Sequence, residues 1–563
     1  FVARFRVENW NAKKEVPYRV VYSLKLAAGR KKEYSWEGNI SRDPVDKKEL
    51  VLASLSCVQQ VDGGLARAKV YRWIDRVWFP HADMVPKLAA HKPDLFFFAG
   101  DQIYEGNPTP PDRSGGRSSE LDYLYKWYLW CWSYGDLVRS TPCICIPDDH
   151  DAYHPNIWGK GGEAADETDK TGAKGGFVMP PRWVNMMQET QCSNLPDPYD
   201  PTPAKQGIQV YYTSLVWGGI GFAILEDRKF KSPPTLVNAK MTVDSHITEV
   251  DYDTRKADVP GAQLLGERQL RFLREFAQDW RGQKMKAALS QTIFCNFQIN
   301  SRGELAGQLD KDLDSGGWPQ SGRKAALHEM RRGFMIHIAG DQHLASTLQH
   351  GIDEFEDANW SVCSPAISNF YVRFWNPSYP PVDGKSLGQP FTGRYEDGFH
   401  NKITVHAVAN PVEKPEPNQF PEPVDLYRKA TGYNIVRFNK AERTILVETW
   451  PRHVDPRDRR TGTQYPGWPI KIAQVENYGR KAKAFLPTLD ISGAGEPVVR
   501  VVEDSTGEVV YTLRLKEPKF RPKVFAEGSY TIQVSDPERG KVKTLASIVA
   551  STSDSASVLS VKL

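Results

Sequence analysis

Asp148-Asp149-His150-Asp151 sets three carboxylates around one imidazole within four residues. Like charges raise one another's pKa, and a cation relieves such a cluster. His150 would then be free to act as an acid or to steady a charged transition state. A solvated acidic turn is the plainer alternative. Gly340-Asp341-Gln342-His343 brings a further carboxylate and imidazole two residues apart, a donor pair that suits Zn, Fe or Mn. In Gly100-Asp101-Gln102-Ile103-Tyr104-Glu105 a carboxylate precedes a phenol by three residues. A tyrosine ligand must shed a proton whose ordinary pKa is about 10, which calls for a strongly Lewis-acidic ion, with Fe3+ the natural choice. Otherwise Asp101 caps a turn and Tyr104 packs. Cys57 offers a thiolate to Fe or a softer ion, or is a small buried side chain. Arg228, after Glu226-Asp227, offers a rigid fork for phosphate or sulfate oxygens, or a structural salt bridge.

The elements that must carry these residues are short apolar runs. One phrase occurs twice: Leu95-Phe96-Phe97-Phe98-Ala99-Gly100-Asp101-Gln102 and Phe334-Met335-Ile336-His337-Ile338-Ala339-Gly340-Asp341-Gln342. Each is an apolar run of strand length that stops at a glycine and then presents an aspartate. Similar runs at 50–55, 143–146, 220–225 and 286–289 end at Ser56-Cys57, Pro147-Asp148, Glu226-Asp227-Arg228 and Ser290-Gln291. Ligands in open α/β sheets gather beyond the carboxyl ends of such strands. A helix is expected over 262–280, after Pro260, with Leu270, Leu273, Phe276 and Ala277 on its apolar face. Alternating strands and helices predict a largely parallel sheet with helices outside. The Gly- and Pro-rich connections 106–116 and 159–176 are long enough to be lids or rims.

Residues 1–48 read as a partial β segment, too short for a sandwich of its own: a remnant of a larger β domain, or edge strands packed on the next one. The catalytic part is expected over 49–478. From 479 to 563, the runs 498–502, 509–515 and 528–534 show strands with turns between them and no helical period. An appended all-β sandwich is expected there.

Composition bounds the class. The 563 residues exceed one core, so several domains are expected. Charged residues make up 25%, hydrophobic residues 40%, and the net charge is +4. That balance argues neither for nor against a polyanionic partner, and no nucleic-acid specificity is evident. No apolar stretch approaches the roughly 20 residues of a membrane span. Phe1 is not an initiator methionine, so a processed or trimmed chain is expected. Seven cysteines without a CxxC pair make no disulfide scaffold. There is no Walker A loop, GxSxG elbow or HExxH helix.

Taken in order, several motifs carry a family resemblance. They are Ser56-Cys57, Gly100-Asp101-Gln102-Ile103-Tyr104, Asp148-Asp149-His150-Asp151, Asp227-Arg228, Leu264-Leu265-Gly266 and Gly340-Asp341-Gln342-His343. Over roughly residues 50 to 450 the chain resembles the PhoD-like alkaline phosphatases, a branch of the calcineurin-like metallophosphoesterases. The resemblance implies an α/β fold: a sandwich of two β-sheets flanked by helices, in two similar halves. It implies Cys57, Asp101 and Tyr104 as ligands of a ferric ion. Asp149 would be a bridging or second-metal ligand, where the wider superfamily has the Asn of an Asn-His pair, with Asp148 beside it. Asp341 and His343 would complete the site, and Asn156 would add its side-chain carbonyl. Fe3+ with Ca2+ is implied, with Zn2+ or Mn2+ as alternatives. The implied enzyme is a secreted or periplasmic hydrolase of phosphate mono- or diesters. A metal-activated hydroxide would attack phosphorus in line, His150 would assist the leaving alkoxide, and Arg228 would hold a non-bridging oxygen. A sulfate ester hydrolase on the same scaffold, acting on a sulfated or phosphorylated glycan, is one alternative; a carbohydrate-binding protein with a dead site is another. Asp151 departs from the family's usual Glu or Asn, and 152–159 looks divergent.

Overall fold

The computed structural model describes residues 2–60, 79–300, 305–368, 371–412, 424–552 and 557–563. Its first element is an exposed hairpin of β1 (Val16–Lys25) and β2 (Lys31–Ile40). The strands that follow are β3 (Glu49–Val58), β4 (Leu95–Phe98), β5 (Cys143–Cys145), β6 (Thr213–Trp217), β7 (Ile220–Ile224), β8 (Met285–Thr292), β9 (Ile336–Gly340), β10 (Ser346–His350), β11 (Trp360–Cys363), β12 (Ala366–Ser368), β13 (Gly393–Glu396), β14 (Lys402–Val408), β15 (Gly432–Asn439), β16 (Thr444–Pro451) and β17 (Ile470–Ala473). Between them lie α1 (Met84–Ala90), α2 (Arg117–Val138), α3 (Pro181–Cys192), α4 (Gly266–Gln278) and α5 (Gln320–Arg332).

These strands make two mixed sheets. One runs β13-β14-β10-β11-β9-β8-β7-β6 and is parallel from β11 through β7. The other runs β17-β16-β15-β3-β4-β5, with β12 beside β3, and is parallel through β12, β3, β4 and β5. Strand–helix alternation alone predicts one largely parallel sheet. The parallel strands β3, β4, β5, β7, β8 and β9 are the six apolar runs, divided between two sheets, and antiparallel strands extend each sheet outward.

Burial on both faces explains why those runs are largely continuous apolar stretches rather than alternating ones, with Ser54, Lys286 and His337 as buried polar exceptions. Side chains alternate across a strand. Leu50, Leu52, Leu95 and Phe97 of one sheet meet Phe222, Ile224, Leu289, Ile336 and Ile338 of the other in the central layer. The opposite faces take the helices. Val51, Ala53, Phe96 and Phe98 pack on Leu88 of α1 and on Trp130 and Tyr134 of α2. Ala223 and Ala288 pack on Phe272, Leu273 and Phe276 of α4 and on Leu327 and Met330 of α5. The helix expected over 262–280 begins only at Gly266, because Gly261 and Gly266 hold φ at 84° and 73°, outside the right-handed helical region.

The doubled phrase has a packing reason. A Cβ at Gly340 would lie 2.3 Å from Ser56 Oγ and 3.0 Å from the Ala99 Cβ. The two Ala-Gly-Asp turns therefore meet, and the carboxyl ends of β4 and β9 deliver their aspartates to one edge of the sandwich.

The amino-terminal hairpin joins neither large sheet. It rests on α2: Trp36 lies against Gly135, and Tyr18 Oη donates to the Arg139 carbonyl at 3.0 Å. Beyond 480, strands Val498–Glu503, Val509–Arg514, Ser529–Asp536 and Lys541–Val549 form an antiparallel sheet. A three-stranded sheet built on Thr488–Ser492 shares its core. Trp280, Phe334 and Tyr478 belong to that core as well, which docks it beside the ends of α4 and α5. All seven cysteines are free. No described helix is long and apolar enough to cross a membrane.

Candidate metal centre

Four residues that carry candidate donors share an unusual backbone. Cys57, Asp101, Asp341 and His343 have φ of 58°, 55°, 67° and 53°. The left-handed region disfavours side chains bearing a Cβ, and such residues gather where function requires them. Cys57 sits in the last residues of β3, and Asp101, Asp341 and His343 follow β4 and β9, where the chain turns sharply enough to aim a side chain across the sheet edge. Gly100 permits the turn before Asp101. Its φ is 111°, and a Cβ there would lie 2.5 Å from the Asp148 Cβ.

The donors fall into three interlocking groups. Atoms of Cys57, Asp101 and His343 lie within 4.8 Å of one another, as do those of Asp101, Asp149 and His150, and those of Asp148, Asp149 and Asp341. Asp101 and Asp149 are each shared by two groups. Tyr104 joins the first, with Oη 3.3 Å from His343 Nε2. Asn156 stands on the wall of the same crevice, its Nδ2 donating to the Asp244 carbonyl at 3.1 Å.

The electrostatics of these groups call for a cation. Burial, then the neighbouring acids Asp148, Asp151 and Asp341, push the Asp101 carboxyl up to about 8 against the opposing pull of His150. Burial also carries Asp148 and Asp149 well above the usual carboxylate range, with neighbouring carboxylates adding to it. It raises the Cys57 thiol in the same way. Asp101 Oδ1 and Asp148 Oδ2 are buried and accept no hydrogen bond. Buried acids with unsatisfied oxygens are costly unless a cation pairs with them. His343 is prepared as a neutral ligand. Burial, then Arg373, lowers it to about 3, and Nδ1 donates to the Tyr371 carbonyl at 2.7 Å, which fixes the tautomer and turns Nε2 toward Tyr104 and the donor group. Thiol, phenol, imidazole and carboxylate donors in these groups fit transition-metal and hard-cation binding.

The crevice over these groups has a volume of 330 Å³. Asp101, Tyr104, Asp149, His150, Asp341 and His343 line it together with Asn156, His246, Tyr371 and Arg373. No residue of the Gly-rich connections 106–116 and 159–176 is among those that line it. His150 Nδ1 lies 2.7 Å from Glu105 Oε2, and its ring centroid is 4.3 Å from that of Tyr104. Burial alone would lower this imidazole, but Glu105, Asp101 and Asp149 together raise it well above its ordinary value.

The position of Arg228 corrects the expectation that it holds a substrate oxygen. Its Nε donates to Asp148 Oδ1 at 2.6 Å and its Nη2 to Asp341 Oδ1 at 2.9 Å, while Nη1 pairs with Asp314 Oδ1 at 2.8 Å. All three guanidinium nitrogens are taken up by carboxylates behind the crevice, which makes the salt-bridge alternative the observed one. The cluster at 148–151 also divides its roles. Asp151 is a clamp and not a donor to the groups above: it accepts from the backbone N–H of Asp101 (2.8 Å), Ile103 (3.2 Å) and Asp148 (2.9 Å), and from Gln191 (2.9 Å). It thereby ties the two donor loops together.

Sequence reasoning missed Glu105, His246, Tyr371 and Arg373. Glu105 stood beside Tyr104 in a phrase already singled out; the other three gave no local signal. His246 Nδ1 lies 3.0 Å from Asp310 Oδ1. Although burial pulls the imidazole down, Asp312 and Asp310 raise it to about 9.

Comparison with known proteins places the chain among phosphatases. A family model described as PhoD-like phosphatase matches residues 77–373, more than half of the chain. A solved structure of PhoD is similar at 12% identity and a TM-score of 0.45, covering 98% of this chain and 88% of that one. The structure of purple acid phosphatase PPD1 from yellow lupin (Lupinus luteus) seeds is similar at 11% identity and a TM-score of 0.40, covering 80% of this chain and 59% of that one. No curated protein matches the chain.

Proposed function

This chain belongs to the PhoD-like phosphatase family, and from that premise we propose that it hydrolyses phosphate mono- or diesters in the crevice between His150 and Arg373. One observation carries the reading: three interlocking donor groups of buried acids, thiol and imidazole, with Asp101 Oδ1 and Asp148 Oδ2 lacking any hydrogen bond.

Cys57, Asp101, Tyr104 and His343 would hold one ion, for which Fe3+ suits the thiol and phenol. Asp148, Asp149 and Asp341 would hold a second, for which an all-oxygen set suits Ca2+, and Asn156 would add its carbonyl. Cations bound there lower the pKa of a water and neutralise charge on the phosphoryl oxygens. The chain's own residues supply the rest. Arg228 neutralises Asp148 and Asp341 from behind and holds both in place. Asp151 fixes the loops of Asp101 and Asp148 in one register. Glu105 holds the His150 ring by Nδ1, so that Nε2 can give a proton to the departing alkoxide.

Assays of p-nitrophenyl phosphate, bis(p-nitrophenyl) phosphate and p-nitrophenyl sulfate, with native and chelator-stripped protein, test this reading. Metal-dependent cleavage of one or both phosphate esters is expected. Cleavage of the sulfate alone, or of none of the three, would overturn it.

A further inference from the structure

The geometry points to Arg373 as the residue that grips a non-bridging oxygen of the substrate's phosphoryl group, and to a site that thereby favours phosphomonoester dianions over diesters. This rests on the phosphoesterase reading above and adds to it the class of ester.

Arg228 is unavailable for this task, because every nitrogen of its fork meets a carboxylate. Arg373 is differently placed. It lines the crevice together with Asp101, Asp149, His150, Asp341 and His343. It is only 8% exposed, yet among the described residues no carboxylate lies within ion-pair distance of its guanidinium. Two neutral contacts fix it: Nε donates to Gln298 Oε1 at 2.9 Å, and Nη1 donates to the Asp341 carbonyl at 3.2 Å. The Tyr371 ring packs beneath it, 4.9 Å from centroid to guanidinium carbon. No hydrogen bond runs from Nη2 to any described residue.

Asp341, Asp312 and Asp314 hold the charge of this buried guanidinium from beyond ion-pair distance, and Nη2 remains to donate to an anion in the crevice. A guanidinium already oriented by Gln298 and Tyr371 loses little freedom when it receives a phosphoryl oxygen, and its planar fork matches one. The Asp341 carbonyl ties Arg373 to a residue of the donor groups, so the free nitrogen lies beside the place where the phosphoryl group must sit. His246, held by Asp310, adds a second cationic group to the lining of the same crevice. A monoester dianion carries one more charge and one more non-bridging oxygen than a diester. It therefore gains more from these two groups than a diester does.

The test compares metal-loaded wild type with Arg373→Met and Arg373→Lys. It follows inorganic phosphate binding by calorimetry, kcat/KM for p-nitrophenyl phosphate and its bis ester, and metal content by elemental analysis. Arg373→Met is expected to bind phosphate about tenfold more weakly or worse, the scale of one charged hydrogen bond. It should lose about tenfold more activity on the monoester than on the diester, with metal content unchanged. Arg373→Lys keeps the charge without the fork and is expected to fall between; it carries the test if the Met variant does not fold. Unchanged phosphate affinity and ester ratio would overturn the inference, as would loss of metal from both variants. If wild type cleaves phosphate esters while both variants match it, only the assignment of Arg373 fails. If wild type cleaves neither ester, the phosphoesterase reading itself fails.

Discussion

His150 Nδ1 lies 2.7 Å from Glu105 Oε2, and the His150 ring is tilted against that of Tyr104. A carboxylate behind an imidazole fixes the tautomer and the ring angle, so the opposite nitrogen meets the substrate. Glu105→Gln is expected to lower kcat about 10- to 100-fold with little change in KM. The loss should be smaller for p-nitrophenyl leaving groups than for alkyl ones, because a good leaving group needs little help from an acid. Steady-state rates on a series of leaving groups check this, and an equal loss across the series would contradict the role given to His150.

Gly340 has no room for a methyl group, since its Cβ would meet Ser56 Oγ at 2.3 Å and the Ala99 Cβ at 3.0 Å. Gly340→Ala is expected to destabilise the fold by about 2 kcal/mol, the scale of overpacking in a rigid core. It should also cost activity beyond that loss, because Asp341 follows directly. Thermal melting and activity at a temperature where the variant stays folded would measure both effects. A variant with unchanged melting would mean that the two Ala-Gly turns do not pack as described.

His246 gives the fold a pH dependence. Burial lowers its affinity for a proton and Arg373 lowers it further, but Asp312 and Asp310 outweigh both, and the imidazole titrates near 9 instead of 6.5. A group with a raised pKa in the folded state stabilises fully below its unfolded value and loses that contribution as pH rises through the folded value. The melting gap between wild type and His246→Gln should therefore be widest below pH 6.5 and should close above pH 9. At its widest it would amount to roughly 2 kcal/mol. A gap that is constant with pH would contradict the pairing of His246 with Asp310 and Asp312.

What was legible in the sequence follows from burial. Leu95–Phe98, and Ile336–Gly340 apart from His337, are apolar because sheet and helix layers cover both faces, so the parallel strands and their polar ends could be read directly. Which sheet each strand joins could not, since periodicity carries no information about neighbours. The sandwich came from the resemblance. Strands such as β15 and β16, with Asn434, Arg437, Glu448 and Thr449 among their apolar residues, lack a clean pattern, because hydrogen bonds such as Arg437 Nε to Glu448 Oε1 at 2.6 Å satisfy their polar groups internally. Within the site, Asp148, Asp149 and Asp151 look alike in sequence; only the backbone N–H groups around Asp151 and the guanidinium beside Asp148 distinguish them. Arg228 and Arg373 differ in the same way. One faces carboxylates and the other faces open crevice, a distinction of tertiary structure alone.

The central claim is that Cys57, Asp101, Tyr104, Asp148, Asp149, Asp341 and His343 converge on bound cations that the reaction requires. Elemental analysis of wild type and Asp101→Ala, with p-nitrophenyl phosphate turnover measured on the same samples, tests it most directly. The account predicts about two multivalent ions per wild-type chain, fewer in the variant, and a fall in turnover of about a thousandfold or more while the fold survives. A metal-free wild type that turns over at full rate, or an Asp101→Ala variant that retains both its metal and its activity, would contradict it.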